Sequence, residues 1–352
     1  MTVNYAMIDI TNRCNMKCHY CYKKEGSTGA VLDMSISMVY KTLLWLKQRG
    51  AKTISISGGE PSLHPDFVLV LDAVNNFNFE YVILLTNGEL FFQDRKIYNY
   101  SGIDEISFSI DSVDSKLPSA RDGFVFDTAI TKYNEFRKVN LELRFSMNVV
   151  LTQYNMNFAE QLVQFSVNHD FNKISFDFCI PISIDKGNIP YSNFYCSPIN
   201  MVKLMDELLM LKQKYTAEIE VLTPLIVTGC PLLNEETDMF DLRIDEQGNV
   251  FPCSAIHHPK FAVFNILDVA EMSGNINVSD ILSDIRAYLH EKNQLCKKCT
   301  LRDVCTGPCL MYPVPKTGSD DADSFCKPRR LIYTRNKLKN EKTAAHNNRG
   351  DT

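Results

Sequence analysis

The sequence predicts an α/β fold: a parallel sheet closed or partly closed by crossover helices. Three observations carry this. Short β-branched runs alternate with helix-period stretches about six times over the first two-thirds of the chain. The candidate strands are near-continuous apolar runs, as expected where both faces of a sheet are covered. The residues able to do chemistry all follow strands, and in such folds the loops leaving the C-terminal ends of strands carry the site.

In chain order, the expected strands are residues 6–10, 53–57, 81–86, 105–111, 144–151 and 173–181. The expected helices are 35–49, 66–76, 126–139, 158–169 and 200–215, while 93–98 is too short to assign. After about Tyr215 the pattern changes. Residues 241–251 suit a hairpin around Glu246-Gln247-Gly248-Asn249, and 278–292 suit one helix; the remainder is loops and cysteines. This divides the chain into a barrel unit (1–215), a small loop-rich cysteine unit (216–330) with too little core to fold without metal, and a polar tail (331–352) expected to fray.

With 352 residues, 45% of them hydrophobic, the chain can bury one large core and a smaller second one. A net charge of -5 gives no global case for nucleic acid, although Lys327, Arg329, Arg330, Arg335, Lys337 and Lys339 gather near the end. No apolar run approaches the roughly 20 residues of a membrane span. Residues 1–5 lack the features of a secretion signal, so the expected location is the cytoplasm and no membrane partner is expected.

The 12 cysteines are the compositional anomaly. In a reducing compartment metal ligation is the better reading than disulfides. Cys14, Cys18 and Cys21 lie near the N-terminus; Cys230, Cys253, Cys296, Cys299, Cys305, Cys309 and Cys326 lie towards the end; Cys179 and Cys196 fall between. The first three are separated by three and then two residues. Three thiolates on one tight loop can hold three irons of a [4Fe–4S] cube and leave the fourth open to a small chelating molecule. Structural zinc wants four ligands, and His19 is too tightly spaced to be the fourth.

Cys14-x3-Cys18-x2-Cys21, with Tyr20 before the last cysteine, resembles the cluster loop of the radical S-adenosylmethionine (SAM) superfamily. Gly58-Gly59-Glu60-Pro61, after the second strand, resembles that family's Gly-Gly-Glu-Pro element. The resemblance implies a partial (β/α)6 TIM-like barrel. It also implies SAM chelating the open iron, with its amine received by Gly59 and Glu60 and with Gly58 beside them. Close approach by glycine backbone and a carboxylate facing an ammonium make that reasonable. Tyr20 would lie against the adenine. Ser107-Phe-Ser109-Ile-Asp111 resembles the ribose-contacting segment, with Ser109 and then Asp111 as the residues to carry over; a strand end satisfied by its own loop is the alternative. Arg121 and Arg144 are candidates for the cofactor carboxylate, against a solvated surface role for each. The implied chemistry is reductive cleavage to a 5′-deoxyadenosyl radical that removes hydrogen from carbon, fed by an external one-electron donor such as flavodoxin or ferredoxin.

The later cysteines resemble the twin-cluster extension called the SPASM domain, found on radical enzymes that modify peptides and proteins, although the seventeen residues between Cys230 and Gly248 are longer than usual. The resemblance implies Cys230, Cys253 and Cys309 on a first auxiliary iron–sulfur cluster and Cys296, Cys299, Cys305 and Cys326 on a second. The first then keeps an open iron or takes Cys196 or Cys179; either of these could equally be a plain buried thiol. Two zinc knuckles are the alternative.

The expected activity is oxidative modification of a ribosomally made precursor peptide, by cross-link, thioether or related chemistry. Thirteen residues precede Cys14, so leader recognition is expected from a separate protein or an exposed strand edge. Oxidation of a small molecule of sugar or haem-pathway type is the alternative. Sulfatase maturation ranks lower, because its general base would follow Cys253, where this chain has Ser254. An iron–sulfur redox carrier would not need Gly58-Gly59-Glu60, and a zinc-dependent nucleic-acid binder would need a basic face.

Overall fold

The computed structural model describes residues 2–21, 23, 30–88, 102–114, 119–122, 126–140, 142–179, 194, 196–215, 218–222, 232, 239–256, 259–269, 282–285 and 287. Cys230, Cys296, Cys299, Cys305, Cys309, Cys326, the 93–98 segment and the tail from 331 lie outside them.

The six expected strands form as β1 (Thr2–Asp9), β2 (Thr53–Ser57), β3 (Tyr81–Thr86), β4 (Glu105–Ser109), β5 (Arg144–Leu151) and β6 (Lys173–Phe178). The five expected helices form as α1 (Ile36–Gln48), α2 (Phe67–Phe77), α3 (Phe126–Val139), α4 (Ala159–Asn168) and α5 (Pro198–Lys214). Local chemistry sets their ends. The Ser35 hydroxyl accepts from the Met38 amide to start α1. Asn78, at φ 50°, ends α2 in the left-handed conformation that asparagine tolerates. Ser197 caps α5 and Pro198 occupies its first turn, so α5 starts two residues earlier than expected.

β1 to β6 are parallel neighbours in sequence order, which makes the strand–helix repeat a partial barrel. The sheet runs on across Tyr215. β7 (Glu218–Leu222) adds parallel to β6, a strand the sequence reading did not separate from its surroundings. The expected hairpin is present as β8 (Met239–Ile244) and β9 (Asn249–Phe251), joined by β10 (Phe264–Asn265), with the short helix α6 (Ile266–Val269) following. β8 also pairs parallel with β1, so ten strands among the described residues share one sheet. Of the helix expected over 278–292, residues 282–285 and 287 are described, and they are helical. No helix among the described residues is long and apolar enough to cross a membrane.

The strands depart from expectation in one respect: they are not apolar on both faces. In registered parallel strands, paired residues share a face. On the helix side stand Ile106, Phe108, Phe145, Met147, Ile174 and Phe176, all fully buried. Tyr133 of α3 packs edge-on to Phe145 with centroids 5.3 Å apart. The opposite face lines the lumen with Glu105, Ser107, Ser146, Asn148, Ser175 and Asp177. At the N-terminal end these groups satisfy one another. Glu105 accepts from Tyr81 at 2.7 Å and from Ser146, and Lys173 lies 3.5 Å from both Glu105 and Glu220. A barrel with a polar interior needs alternation, whereas a flat sheet between two helix layers does not.

Glycine permits β2's turn to approach the chain leaving β1 closely. A Cβ on Gly58 (φ 142°) would sit 2.3 Å from the Thr11 carbonyl oxygen, and one on Gly59 would sit 2.1 Å from that of Arg13. Gly59→Ala is therefore expected to destabilise by roughly 3 kcal/mol or more. Gly50→Ala, where a Cβ meets only Thr2 Cγ2 at 3.8 Å but φ is 80°, should cost about 1 kcal/mol. Anaerobic denaturant unfolding of both variants against the parent measures the difference, and equal midpoints would refute the packing argument.

Candidate active site at the mouth of the barrel

β1 runs out into the loop carrying Cys14, Cys18 and Cys21, and four separate segments hold that loop. Gly59 and Glu60 donate their backbone N–H groups to the carbonyls of Thr11 and Arg13, both at 2.7 Å. Asn87 Nδ2, after β3, donates to Asn15 Oδ1 at 2.9 Å. The amides of Lys17 and His19 donate to the carbonyls of Asp122 and Ala120 at 3.0 and 2.8 Å. Arg13 and Thr11 both bond to Asp33, with Arg13 Nη2 at 2.9 Å from Oδ2. Cys14 is exposed, Cys18 buried and Cys21 between the two.

Glu60, expected to face a ligand amine, is 1% exposed and committed to protein donors. Its Oε1 accepts from the Ser62 hydroxyl at 2.7 Å and the Thr86 hydroxyl at 2.8 Å; its Oε2 accepts from the Asn87 amide at 2.7 Å. The side chain ties β2 to β3 beneath the loop, and burial raises its pKa against those bonds. Gly58 and Gly59 likewise have a reason the sequence reading did not give: their close approach is to the cysteine loop itself.

Asp111, just past β4, is 2% exposed and also occupied. Its Oδ1 accepts from the Val150 amide at 2.9 Å, joining β4 to β5. Its Oδ2 accepts from the Tyr20 hydroxyl and lies 3.3 Å from Arg121 Nε. Arg121 is not the solvated surface residue that sequence alone favoured: its side chain is 9% exposed, its Nη1 lies 3.8 Å from Cys18 Sγ, and its guanidinium sits 5.8 Å from the Tyr20 ring centroid. Burial works to lower its pKa, but Asp111, Tyr20 and Cys18 raise it on balance. Burial likewise raises the Cys18 thiol pKa, and Arg121 opposes this by favouring the thiolate. Arg144, the other candidate, stands at the opposite end of the barrel, bonded to Glu218 at 3.3 Å. Ser109 faces the lumen, registered with Asn148. Tyr20, Asp111 and Arg121 thus meet at Cys18, Ser109 opens the lumen, and Cys253 stands just beyond β9.

Two further features escaped the sequence reading. Asp177 lies on the lumen face near the end of β6, its Oδ1 enclosed without a hydrogen-bond partner among the described residues. Burial pushes its pKa up to about 7, against a bond from the Phe178 amide. Its alternation with Ile174, Phe176 and Phe178 was the available signal. Asp9, Lys23, Arg243 and Glu246 form an ion network where β1 leaves the sheet, with Asp9 and Arg243 buried and Lys23 and Glu246 half-buried; the charge ending an apolar strand was the signal there. Cys179 and Cys196 are both buried, and burial pushes each thiol up to about 12.

The donor set suits a cluster: Cys14, Cys18 and Cys21 are three thiols on one tethered loop, and a cube takes one thiolate per iron.

Residues 8–165 match the Radical SAM superfamily. A GTP 3',8-cyclase of Shewanella denitrificans is 34% identical over 119 residues, 32% of this chain and 34% of that protein. The chain spans about a third to a half of the length of the curated relatives it matches. Among solved structures, Streptococcus suis SuiB bound to precursor peptide SuiA aligns with a TM-score of 0.63 and 18% identity over 88% of this chain and 72% of that one. Native anSMEcpe with bound AdoMet and Cp18Cys peptide aligns with a TM-score of 0.66 and 17% identity over 96% and 100%. Both likenesses establish the partial-barrel fold. Together with the cysteine loop, the match identifies residues 8–165 as a radical SAM domain, whose family implies a [4Fe–4S] cluster and SAM.

Proposed function

We propose that this chain is a cytoplasmic radical SAM enzyme that oxidatively modifies a ribosomally made peptide. The observation that carries its chemistry is the loop of Cys14, Cys18 and Cys21, seated on the Gly59–Glu60 turn above a polar lumen. When bound there, the cluster and SAM supply a 5′-deoxyadenosyl radical able to take hydrogen from carbon.

The chain's own residues prepare that site. Cys14, Cys18 and Cys21 would each ligate one iron. Arg121 balances negative charge at Cys18 and Asp111, and Asp111 fixes the Tyr20 ring through its hydroxyl, where the ring can lie against an adenine. With the Glu60 carboxylate bonded to Ser62, Thr86 and Asn87, reception of the amine falls to the backbone of Gly58, Gly59 and Glu60. Ser109 is assigned to the ribose. Asp177 offers an acceptor oxygen to a donor group of the substrate, and at neutral pH it can hold or release a proton at that oxygen.

The residue 216–330 segment is assigned to two auxiliary clusters, with Cys230, Cys253 and Cys309 on one and Cys296, Cys299, Cys305 and Cys326 on the other. A flavodoxin- or ferredoxin-type donor and a separate leader-binding protein complete the proposed partners. Peptide modification is supported by alignment along nearly the whole chain with structures that hold peptides. A small-molecule reaction is the second reading, favoured by relatives named GTP 3',8-cyclase.

Replacing Cys14, Cys18 and Cys21 together by alanine is expected to lower 5′-deoxyadenosine formation from SAM and dithionite by at least about a thousandfold, with anaerobic chromatography as the readout. Retained turnover would end the proposal. Incubating the reconstituted enzyme separately with short peptides encoded beside it and with GTP separates the two readings. A peptide two daltons lighter is expected, whereas consumption of GTP alone would select the second.

Asp177 gives a pH prediction. Its folded pKa, about 7, lies above the ordinary 3.8, so between these values the folded state holds a proton that the unfolded chain releases. Stability from this residue therefore falls as pH rises from about 4 to 7. Asp177→Asn is expected to be more stable than the parent at pH 8, by up to roughly 4 kcal/mol, with the gap closing near pH 4. Denaturant midpoints across that range decide it.

A further inference from the structure

The backbone ladder between β1 and β8 ends at Ile8 and Ile244. Beyond it, charged side chains continue the connection. Asp9 is 1% exposed. Its Oδ2 accepts from Arg243 Nε at 2.8 Å, and it lies 2.7 Å from Arg243 Nη2 and 2.9 Å from Lys23 Nζ. Lys23 Nζ also lies 2.6 Å from Glu246 Oε2, and Arg243 Nη1 donates to the Ser254 carbonyl at 3.1 Å. Among the described residues, two cations meet two anions in it.

Buried charge of this kind is a poor source of stability, because apolar residues of equal volume do as well or better. What it supplies is registry: directional bonds with few satisfying geometries. The segments it joins are informative. Asp9 leads into the Cys14 loop, Lys23 is the second residue after Cys21, and Arg243 grips the residue after Cys253.

We propose that Asp9, Lys23, Arg243 and Glu246 are positioning residues, an ion clasp that holds the Cys253 loop at one fixed distance from the Cys14–Cys21 loop. Fixed spacing is what electron exchange between two redox centres needs. The inference rests on the reading above, in which Cys253 serves an auxiliary cluster.

The test uses the full-length chain, reconstituted anaerobically, as parent, Arg243→Gln, Arg243→Lys and Glu246→Gln. Thiol alkylation mapped by mass spectrometry is expected to quicken at Cys253 by about threefold or more in Arg243→Gln and less in Arg243→Lys, while Cys179 and Cys196 stay protected. In dithionite-reduced samples, the relaxation that one cluster imposes on the other's EPR signal should weaken in the same order. Glu246→Gln, at the rim, keeps the test decisive if Arg243→Gln does not fold; there the quickening should be smaller but still confined to Cys253. Unchanged Cys253 labelling with unchanged relaxation overturns the clasp. Quickened labelling at all three cysteines together also overturns it, since that reports general loosening. Labelling judges the clasp whether or not the Cys253 segment carries iron, so failure of the functional reading is seen separately, as a parent chain that does not cleave SAM.

Discussion

Two backbone bonds of 2.7 Å, from Gly59 and Glu60 to the carbonyls of Thr11 and Arg13, set the height at which the cysteine loop rides over the sheet. They form only because neither Gly58 nor Gly59 carries a Cβ, which would clash with those same carbonyls. Once the loop is held there, its other tethers fall into reach: Asn15 to Asn87, Lys17 and His19 to the 119–122 segment, Tyr20 to Asp111. A carboxylate at position 60 is the keystone on the far side of this contact. It is buried and saturated with donors from three neighbouring residues, and so holds the turn that carries the two glycines.

The lumen follows a charge rule. Near the N-terminal ends of the strands, Glu105, Lys173, Tyr81 and Ser146 close on one another and fill the barrel. At the other end, Asp111 is matched by Arg121, and Asp9 by Arg243 and Lys23. Among the described residues no such cation stands beside Asp177, and burial accordingly raises its pKa. The acceptor that Asp177 leaves unmet on the lumen face suits a visitor that brings a donor.

Much of this was legible in the residues. The alternation of strand and helix located six strands and five helices, helped at two of the helices by a serine cap, Ser35 for α1 and Ser197 for α5. The Cys14–Cys21 spacing and Gly58-Gly59-Glu60 pointed to the same loop pair that the structure brings into contact. Other features depend on distant partners that no local pattern encodes. Glu60 and Asp111 carry the right chemistry for ligand contact, yet each spends its oxygens on distant groups, Glu60 on Asn87 27 positions away and Asp111 on Val150 and Tyr20, 39 and 91 positions away. Arg121 resembles any surface arginine until Asp111 is found beside it. β8 was expected only as half of a hairpin, since pairing with a strand more than two hundred residues earlier leaves no trace in its own residues.

That returning strand also bears on how the molecule is made. β1 has β2 on one side and β8 on the other, so the edge of β1 stays unpaired until residue 244 has emerged from the ribosome. Contacts of such long sequence separation form slowly, because the intervening chain must be closed into a loop first. The tethers of the cysteine turn, from Asp33 to Asp122, are thus synthesised well before the strand that completes the pairing of β1.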